Sequence, residues 1–421
     1  MKEQVIKMSS LLLLCYSQVS LSYGDFFSPG SSGMTFNLKT ATSPAEYSHA
    51  GIRVIGKTHT LFCPMKVNEE GFCIIPISDI KPHNTMGFQG PQGLVNLEMC
   101  LNGEGQASCS PYRLQATPIR GINYDPAHST AYQTAQTSNN AAGMATSMTT
   151  DFTQIKNNGF TVVKTFISAA STNSGVLTNL ADIACPLGLK LMLGVYEFTP
   201  SDGCGNNATC ISWTLPQINN AISSAQKYPT CIVGIAVGNE DIYDYTFTVP
   251  NTQIQTRISA DISTIQTALG NAVPVGTAQQ DGALLALAQP GNDPQGIIPK
   301  LNFVGANIYP YWSPTTTVAQ APTEFTNRLT AVQKAFPSTR VAVTEEGWPS
   351  SSNSPSQKAT SISNEITYYT YWLGRATQDQ FDSYYFSFYD KIQPNDGDAD
   401  NYFGLCTYTN TAKSASLFAC N

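Results

Sequence analysis

The sequence is poor in charged residues. Its 421 residues include 22 Lys or Arg and 29 Asp or Glu, a charged fraction of 12%, against roughly 25% in typical soluble domains. A net charge of −7 leaves no basic surface for a phosphate backbone, so no nucleic-acid partner is expected. The hydrophobic fraction of 42% is ordinary. The chain is therefore long enough for a barrel-sized core and one small additional domain.

Histidine is scarcer still. The four histidines are His49, His59, His83 and His128, and three of them precede residue 100. The larger part of the chain thus has too few for a histidine-ligated metal site or a Ser-His pair. We expect no metal and no other cofactor, and we expect catalysis to depend on carboxylates.

Long hydrophobic runs are also missing, apart from one short run near the first residue. Lys2 and Lys7 precede Leu11 to Leu14, and small residues follow up to Gly24. The run is far shorter than the ~20 apolar residues of a membrane span. It predicts a secretory signal over residues 1–23, no membrane span, and a secreted or extracytoplasmic protein.

Ten cysteines remain after that segment, and an even number in a secreted chain indicates disulfides. No pair has the C-x2-C spacing of a metal site. The sequence alone does not fix the connectivity. Pairing neighbours, with the last pair by elimination, predicts Cys63–Cys73, Cys100–Cys109, Cys204–Cys210, Cys406–Cys420 and Cys185–Cys231.

Two regions differ in their pattern of apolar residues. Residues 24–115 contain short strand-like runs at 52–61, 72–77 and 94–101, with four of the ten cysteines. This pattern predicts a small disulfide-bearing β domain. A role as a spacer, an attachment module or a glycan-binding module is compatible with it.

Residues 116–421 alternate between strand-like runs and segments of helical periodicity. Eight strands are predicted to begin near Ile119, Thr161, Leu189, Cys231, Val273, Asn302, Arg340 and Ser383. Helices are predicted over residues 144–157, 214–227, 254–269, 322–336 and 357–375. Eight such units favour an α/β fold, the eight-stranded parallel β/α (TIM) barrel. An open doubly wound sheet is the alternative, but no G-x-G-x-x-G follows any strand.

Two predicted strands end in a carboxylate. The fourth runs through Val237 into Gly238-Asn239-Glu240, and the seventh runs through Thr344 into Glu345-Glu346. In a barrel these ends form the active-site mouth. Paired carboxylates there suit glycoside hydrolysis, in which one donates a proton and the other attacks the sugar or activates water. Aromatic residues that could stack on sugar rings lie near the same ends.

At these residues the sequence resembles glycoside hydrolase family 17, the β-1,3-glucanases. The motifs that carry the resemblance are Gly121-Ile122-Asn123-Tyr124, Val237-Gly238-Asn239-Glu240, Asn307-Ile308-Tyr309-Pro310-Tyr311 and Glu345-Glu346-Gly347-Trp348-Pro349-Ser350. They stand in the family's order, and the resemblance covers residues 116–421.

The resemblance implies a retaining hydrolase acting on β-1,3-glucan, with Glu240 as acid/base and Glu345 as nucleophile. It further implies that Asn239 binds the sugar and that Tyr309 hydrogen-bonds the nucleophile. The remaining substrate-binding residues it implies are Tyr124, Asn307, Tyr311, Trp348, Asp390 and Lys391. Glu346 departs from the family, which usually has a small residue there.

A retaining mechanism predicts a separation of about 5 to 5.5 Å between the two carboxyl groups. A β-1,3-glucan transglycosylase would use the same two glutamates, and a non-catalytic glycan-binding barrel is the further alternative. Both endo and exo action are compatible with the pattern. A β-glucan partner and a monomeric chain are expected.

Overall fold

The computed structural model describes residues 118–270, 272–352, 360–375, 379, 381–391, 398–415 and 417–420, and the backbone of seven earlier strands. The chain divides into two compact units, Met1–Thr117 and Pro118–Asn421. The predicted signal segment lies outside the described residues. Within them, no helix has the length and hydropathy needed to cross a bilayer.

The second unit contains a closed barrel of eight parallel strands. The strands are β1 (Arg120–Tyr124), β2 (Val162–Thr165), β3 (Lys190–Val195), β4 (Ile232–Asn239), β5 (Val275–Gln280), β6 (Phe303–Asn307), β7 (Arg340–Glu346) and β8 (Ser383–Tyr385). Strand β8 pairs with β1, which closes the barrel. The predicted TIM barrel is therefore confirmed.

Helices lie between the strands in chain order. They are α1 (Thr130–Thr137), α2 (Ala141–Asn157), α3 (Leu180–Ala184), α4 (Asn207–Lys227), α5 (Thr252–Leu269), α6 (Asp281–Leu287), α7 (Ala321–Ala335) and α8 (Ile362–Gly374). Short 3-10 turns occur at Pro126–His128, Pro200–Asp202, Ile298–Lys300, Pro310–Trp312 and Ala399–Asn401, and a small hairpin pairs Ala169–Ser171 with Leu177–Asn179.

Polar side chains fix where the long helices begin. Asn206 accepts a hydrogen bond from the Thr209 amide at the start of α4, and Asn251 accepts one from the Ile254 amide at the start of α5. Such caps satisfy amide groups that have no partner within the helix. They stop each βα connection at a defined point and so fix the loops at the barrel mouth.

The barrel interior is filled by side chains of alternating size. Large side chains of Met192, Phe303 and Tyr384 alternate with small ones such as Ala236 and Ala342. The Tyr384 ring occupies the space beside Gly121, where a Cβ atom would lie 2.3 Å from it. This layer closes the barrel below the functional end, as expected for the fold.

All eight strands begin within two residues of the predicted starts. The five predicted helices are present, and α4 begins seven residues earlier than predicted, at Asn207 instead of 214. Three predicted disulfides are confirmed, Cys185–Cys231, Cys204–Cys210 and Cys406–Cys420.

The first unit contains antiparallel strands. They are Gly33–Asn37, Gly51–Ile55, Thr60–Pro64, Lys66–Val67, Phe72–Pro76, Asn96–Cys100 and Cys109–Arg113, arranged in a three-stranded and a four-stranded sheet. The predicted run 52–61 consists of two paired strands instead of one. The side chains of the predicted pairs Cys63–Cys73 and Cys100–Cys109 lie outside the described residues.

Candidate active site

The end of β4 turns sharply at Gly238. Its φ is 76°, and a Cβ atom there would lie 2.5 Å from Cδ1 of Ile258, so only glycine fits. Glu240, two residues later, also has positive φ, 55°, which is uncommon for a residue with a side chain. Such conformations cluster at functional sites. Here the turn holds the Glu240 carboxyl at the barrel mouth.

The Glu240 carboxyl is partly buried and contacts two amides. Asn307 Nδ2 donates to its Oε1 at 2.9 Å, and Gln280 Nε2 donates to its Oε2 at 3.3 Å. Burial is the main cause that raises the pKa of Glu240 to about 8, and the negative charge of Glu345 is the second. The Asn307 hydrogen bond and the positive charge of Lys164 lower the pKa by a smaller amount. Glu240 therefore carries a proton at neutral pH, as a general acid must.

Glu345 is buried in a different environment. Lys164 Nζ donates to Oε1 at 2.9 Å, and the Tyr309 hydroxyl donates to Oε2 at 2.7 Å. Lys164 is itself only 1% exposed. Both oxygens of Glu345 thus accept a hydrogen bond, one of them from a buried cation. The two strand-end carboxyls thus differ in partner type, amides for Glu240 and a cation for Glu345.

Asn307 connects the two strand ends. Its Nδ2 donates to Glu240, and its Oδ1 accepts from the Thr344 hydroxyl at 2.7 Å. Thr344 immediately precedes Glu345, and the β6–β7 register shifts between Ala306 and Asn307. Bulges of this kind redirect side chains beside active sites. The predicted carboxyl separation of 5 to 5.5 Å stays a prediction.

Glu346 lies on the other side of β7. Arg375 Nη2 in the turn after α8 donates to both of its oxygens at 2.6 Å, and the Tyr368 hydroxyl donates to Oε2 at 3.2 Å. Ser383 on β8 also donates to it. Glu346 is fully buried. Its charge is therefore compensated between the sheet and α8, and it shares neither Lys164 nor Tyr309 with Glu345.

Three predicted sugar-binding residues are located directly beside these carboxyls. Asn239 is the last residue of β4, and its Oδ1 lies 3.4 Å from Lys164 Nζ. Asn307 ends β6 and contacts Glu240, while Tyr309 contacts Glu345.

The predicted aromatic residues are buried. Tyr311 and Trp348 pack edge to face with ring centroids 5.2 Å apart, and each is at most 2% exposed. Tyr124 is also buried, and its hydroxyl donates to Asp151 at 2.8 Å. Beside them, Trp312 is 44% exposed. Their predicted role in lining subsites stays a prediction.

Asp390 and Lys391 have contrasting environments. Asp390 is buried and accepts from Lys413 Nζ at 2.7 Å and from the Gly404 amide at 2.9 Å. Lys391 is exposed and lies 4.0 Å from Asp400. Their substrate-binding role stays a prediction.

Sequence reasoning missed Lys164 and Gln280. Lys164 interrupts the apolar run Val162-Val163 in a chain with few charges, a signal that could have been used. Gln280, at the end of β5, has no comparable signal. Among the described residues, no group of three or more His, Cys, Asp or Glu side chains could hold a metal ion.

Known proteins resemble this chain in sequence or in fold. The family model described as the BtgE/BtgC glycoside hydrolase domain matches residues 121–404. No curated protein matches the sequence.

Solved structures similar to the chain include the following two. One is an endo-laminarinase from Formosa Hel1_33_131, with 16% identity over 70% of this chain and 84% of that chain and a TM-score of 0.53. The other is a glycoside hydrolase family 17 β-1,3-glucanosyltransferase from Rhizomucor miehei, with 21% identity over 70% of this chain and 95% of that chain and a TM-score of 0.50. At these identities the likeness shows a shared fold.

Proposed function

The chain belongs to the family of the BtgE/BtgC glycoside hydrolase domain, and we propose that it is a retaining enzyme of glycoside hydrolase family 17 that cleaves β-1,3-glucan. The observation that carries the proposal is the contrast between the two strand-end carboxyls. Glu240 contacts amides and has its pKa raised to about 8, whereas Glu345 contacts a buried lysine. One protonated and one ionised carboxyl are what double displacement requires.

The reaction begins with Glu240 donating its proton to the glycosidic oxygen as that bond breaks. The Glu345 carboxylate attacks the anomeric carbon, and a covalent glycosyl-enzyme forms. Glu240, now deprotonated, takes a proton from water, whose oxygen attacks the same carbon and releases Glu345. Two inversions give a product of retained configuration.

Lys164 and Tyr309 position the nucleophile in this mechanism. Each donates to a different oxygen of Glu345, at 2.9 and 2.7 Å, so the carboxylate is held in one orientation before substrate arrives. Holding a reacting group in place lowers the barrier of the chemical step. Asn239 lies beside Lys164 and is suited to bind a sugar hydroxyl.

Chemical rescue tests the two roles separately. With an activated aryl β-glucoside and azide, Glu345→Ala should give the α-glucosyl azide, because azide attacks once from the opposite face. Glu240→Ala should give the β-azide, because azide replaces water on the glycosyl-enzyme. A β-azide from Glu345→Ala would contradict its role as nucleophile.

Activity on the polymer is the companion test. Glu345→Gln should fold normally and release no sugar from laminarin. Glu346→Gln is the matched control: it removes the neighbouring charge and lowers the free energy of unfolding by breaking the buried pair with Arg375, but the folded enzyme should retain the chemistry. Product sizing distinguishes hydrolysis from transglycosylation, since chains longer than the starting oligosaccharide form only in the second. Laminarin binding without cleavage by the native chain would indicate a non-catalytic barrel.

We further propose an extracytoplasmic location. Disulfides persist in oxidising compartments, and Cys185–Cys231, Cys204–Cys210 and Cys406–Cys420 all lie in the barrel unit. Sequencing the amino terminus of the mature protein from the medium would test the cleavage predicted near residue 23.

A further inference from the structure

Three aromatic rings form a row beyond the end of β3. The ring centroids of Tyr196 and Phe198 are 5.0 Å apart, and those of Phe198 and Trp213 are 5.6 Å apart, both edge to face. Trp213 lies in the second turn of α4 and is 42% exposed, and the other two are partly exposed. We name Tyr196, Phe198 and Trp213 the aromatic row.

A buried polar network underlies this row. Glu197, between the first two aromatic residues, is 2% exposed and lies 2.5 Å from Arg257 of α5. Arg257 Nη1 donates to the Phe198 carbonyl at 2.6 Å, and its Nη2 donates to the Thr214 hydroxyl at 2.7 Å. Thr214 follows Trp213 and also accepts from the Phe198 amide at 3.2 Å.

The network fixes the backbone on both sides of the exposed rings. Burial, together with the nearby Asp261, raises the pKa of Glu197 to about 9, so Glu197 acts here as a hydrogen-bonding group. Arg257 connects β3's extension, at Glu197 and the Phe198 carbonyl, to Thr214 of α4. The Cys204–Cys210 disulfide closes the loop between them. The rings are therefore presented on a rigid support.

The aromatic row follows the strand that pairs with β4, which leads to Glu240. Val195, which precedes Tyr196, pairs with Val237 of β4, three residues before Glu240. Asp202 accepts from the Tyr196 hydroxyl at 3.1 Å. Burial raises the pKa of the Tyr196 hydroxyl, and the negative charges of Asp202 and Asp241 raise it further. The row thus begins at the residue after β3, next to the end of β4 that leads to Glu240, and extends to Trp213 on α4.

We propose that the aromatic row is a distal subsite that stacks glucose units of a β-glucan chain extending from the cleavage point. Sugar rings present apolar C–H faces that pack on aromatic rings, and Asp202 can accept from their hydroxyls. This inference rests on the proposed function and explains how the proposed active site binds long β-glucan chains.

Chain-length dependence of binding tests the subsite. In the Glu345→Gln background, which prevents turnover, affinity for laminarin oligosaccharides of three to eight units is measured by calorimetry. Adding Trp213→Ala should weaken binding of the longest oligosaccharides by roughly two- to tenfold, the range of one aromatic contact. The loss should disappear for oligosaccharides too short to reach the row, and Trp213→Phe should restore most of the affinity.

Leu215→Ala is the matched control. Leu215 lies on the same helix two residues away and is 49% exposed, but residues two apart do not share a helix face. It should leave every affinity unchanged. Equal affinities with and without Trp213→Ala at all lengths, while the parent still binds, would overturn the subsite alone. Absence of binding by the parent at every length would overturn the proposed function together with the subsite.

Discussion

Replacing Glu240 with Gln is expected to stabilise the fold most at high pH. Burial and the Glu345 charge raise the pKa of Glu240 from its ordinary 4.5 to about 8. Between these pH values the folded chain keeps a proton that the unfolded chain has released. The free energy of unfolding therefore falls as pH rises across this window. The gap of about 3.5 pH units, at ~1.4 kcal/mol each, corresponds to about 5 kcal/mol.

Gln has no proton to lose but keeps the shape of Glu, and its amide oxygen can still accept from Asn307. The variant should therefore escape this loss. Its advantage over the native chain should grow by about 5 kcal/mol between pH 4.5 and pH 9. Stabilisation on removal of a catalytic group is a known consequence of sites built for activity.

Urea denaturation of both proteins at pH 4.5, 6.5 and 9 provides the measurement. Asp182→Asn is the control for loss of one negative charge, since Asp182 lies in an exposed pair with Lys227. If the difference between Glu240→Gln and the native chain stayed constant across pH, Glu240 would not be holding a proton at neutral pH. The assignment of Glu240 as the acid would then be refuted.

Four further expectations follow from the same contacts. The kcat/KM on laminarin should fall as pH rises through about 8, because Glu240 must be protonated to act. A fall centred two pH units lower would contradict this. Lys164→Met should lower kcat/KM by about 10- to 100-fold, the value of a hydrogen bond to a charged group, whereas Lys164→Arg should retain more activity. Arg375→Met leaves Glu346 buried without a cation and should lower the free energy of unfolding, measured by urea denaturation, by about 3 to 5 kcal/mol. A loss below about 1 kcal/mol would refute the role of Arg375 as the partner of Glu346. Replacing Cys185–Cys231 by serines should cost about 4 kcal/mol and replacing Cys204–Cys210 about 2, because the closed loops span 46 and 6 residues; the reverse order in calorimetry would contradict the loop argument.

The fold was predictable because local pattern and global architecture agree. Most barrel strands are short apolar runs, β1 to β7 are each followed by a helix, and in the long helices apolar positions recur every three or four residues. The start of α4 was predicted too late because Asn207 to Trp213 includes polar and exposed residues that mask the helical period. The capping contact of Asn206 with the Thr209 amide explains why the helix begins there.

The two strand-end carboxyls were predictable from position, but their environments were not. An abrupt end of an apolar run in Glu indicates a mouth residue in a barrel. Which of Glu345 and Glu346 faces the interior depends on the bulge between β6 and β7, and a bulge leaves no mark in the sequence of one strand. The partner of Glu346 is Arg375, 29 residues away on another element.

Aromatic residues illustrate the same limit. Trp312 and Trp348 both follow barrel strands, yet one is 44% exposed and the other is 1% exposed. Trp213 precedes its exposed neighbour Leu215 on α4 and gave no sequence signal. Its place beside Phe198 arises only when β3 and α4 pack together.

The shortage of charge explains why the buried ions identify the site. Glu345 is paired with Lys164, and Glu346 with Arg375. A buried carboxylate without a cation is costly, and it takes up a proton instead. In the described part of the chain, the side-chain partners of Glu240 are two amides. Glu240 is therefore the carboxyl among these three that can hold a proton at neutral pH and release it during a reaction, and it follows β4, the strand next to the one that leads to the aromatic row.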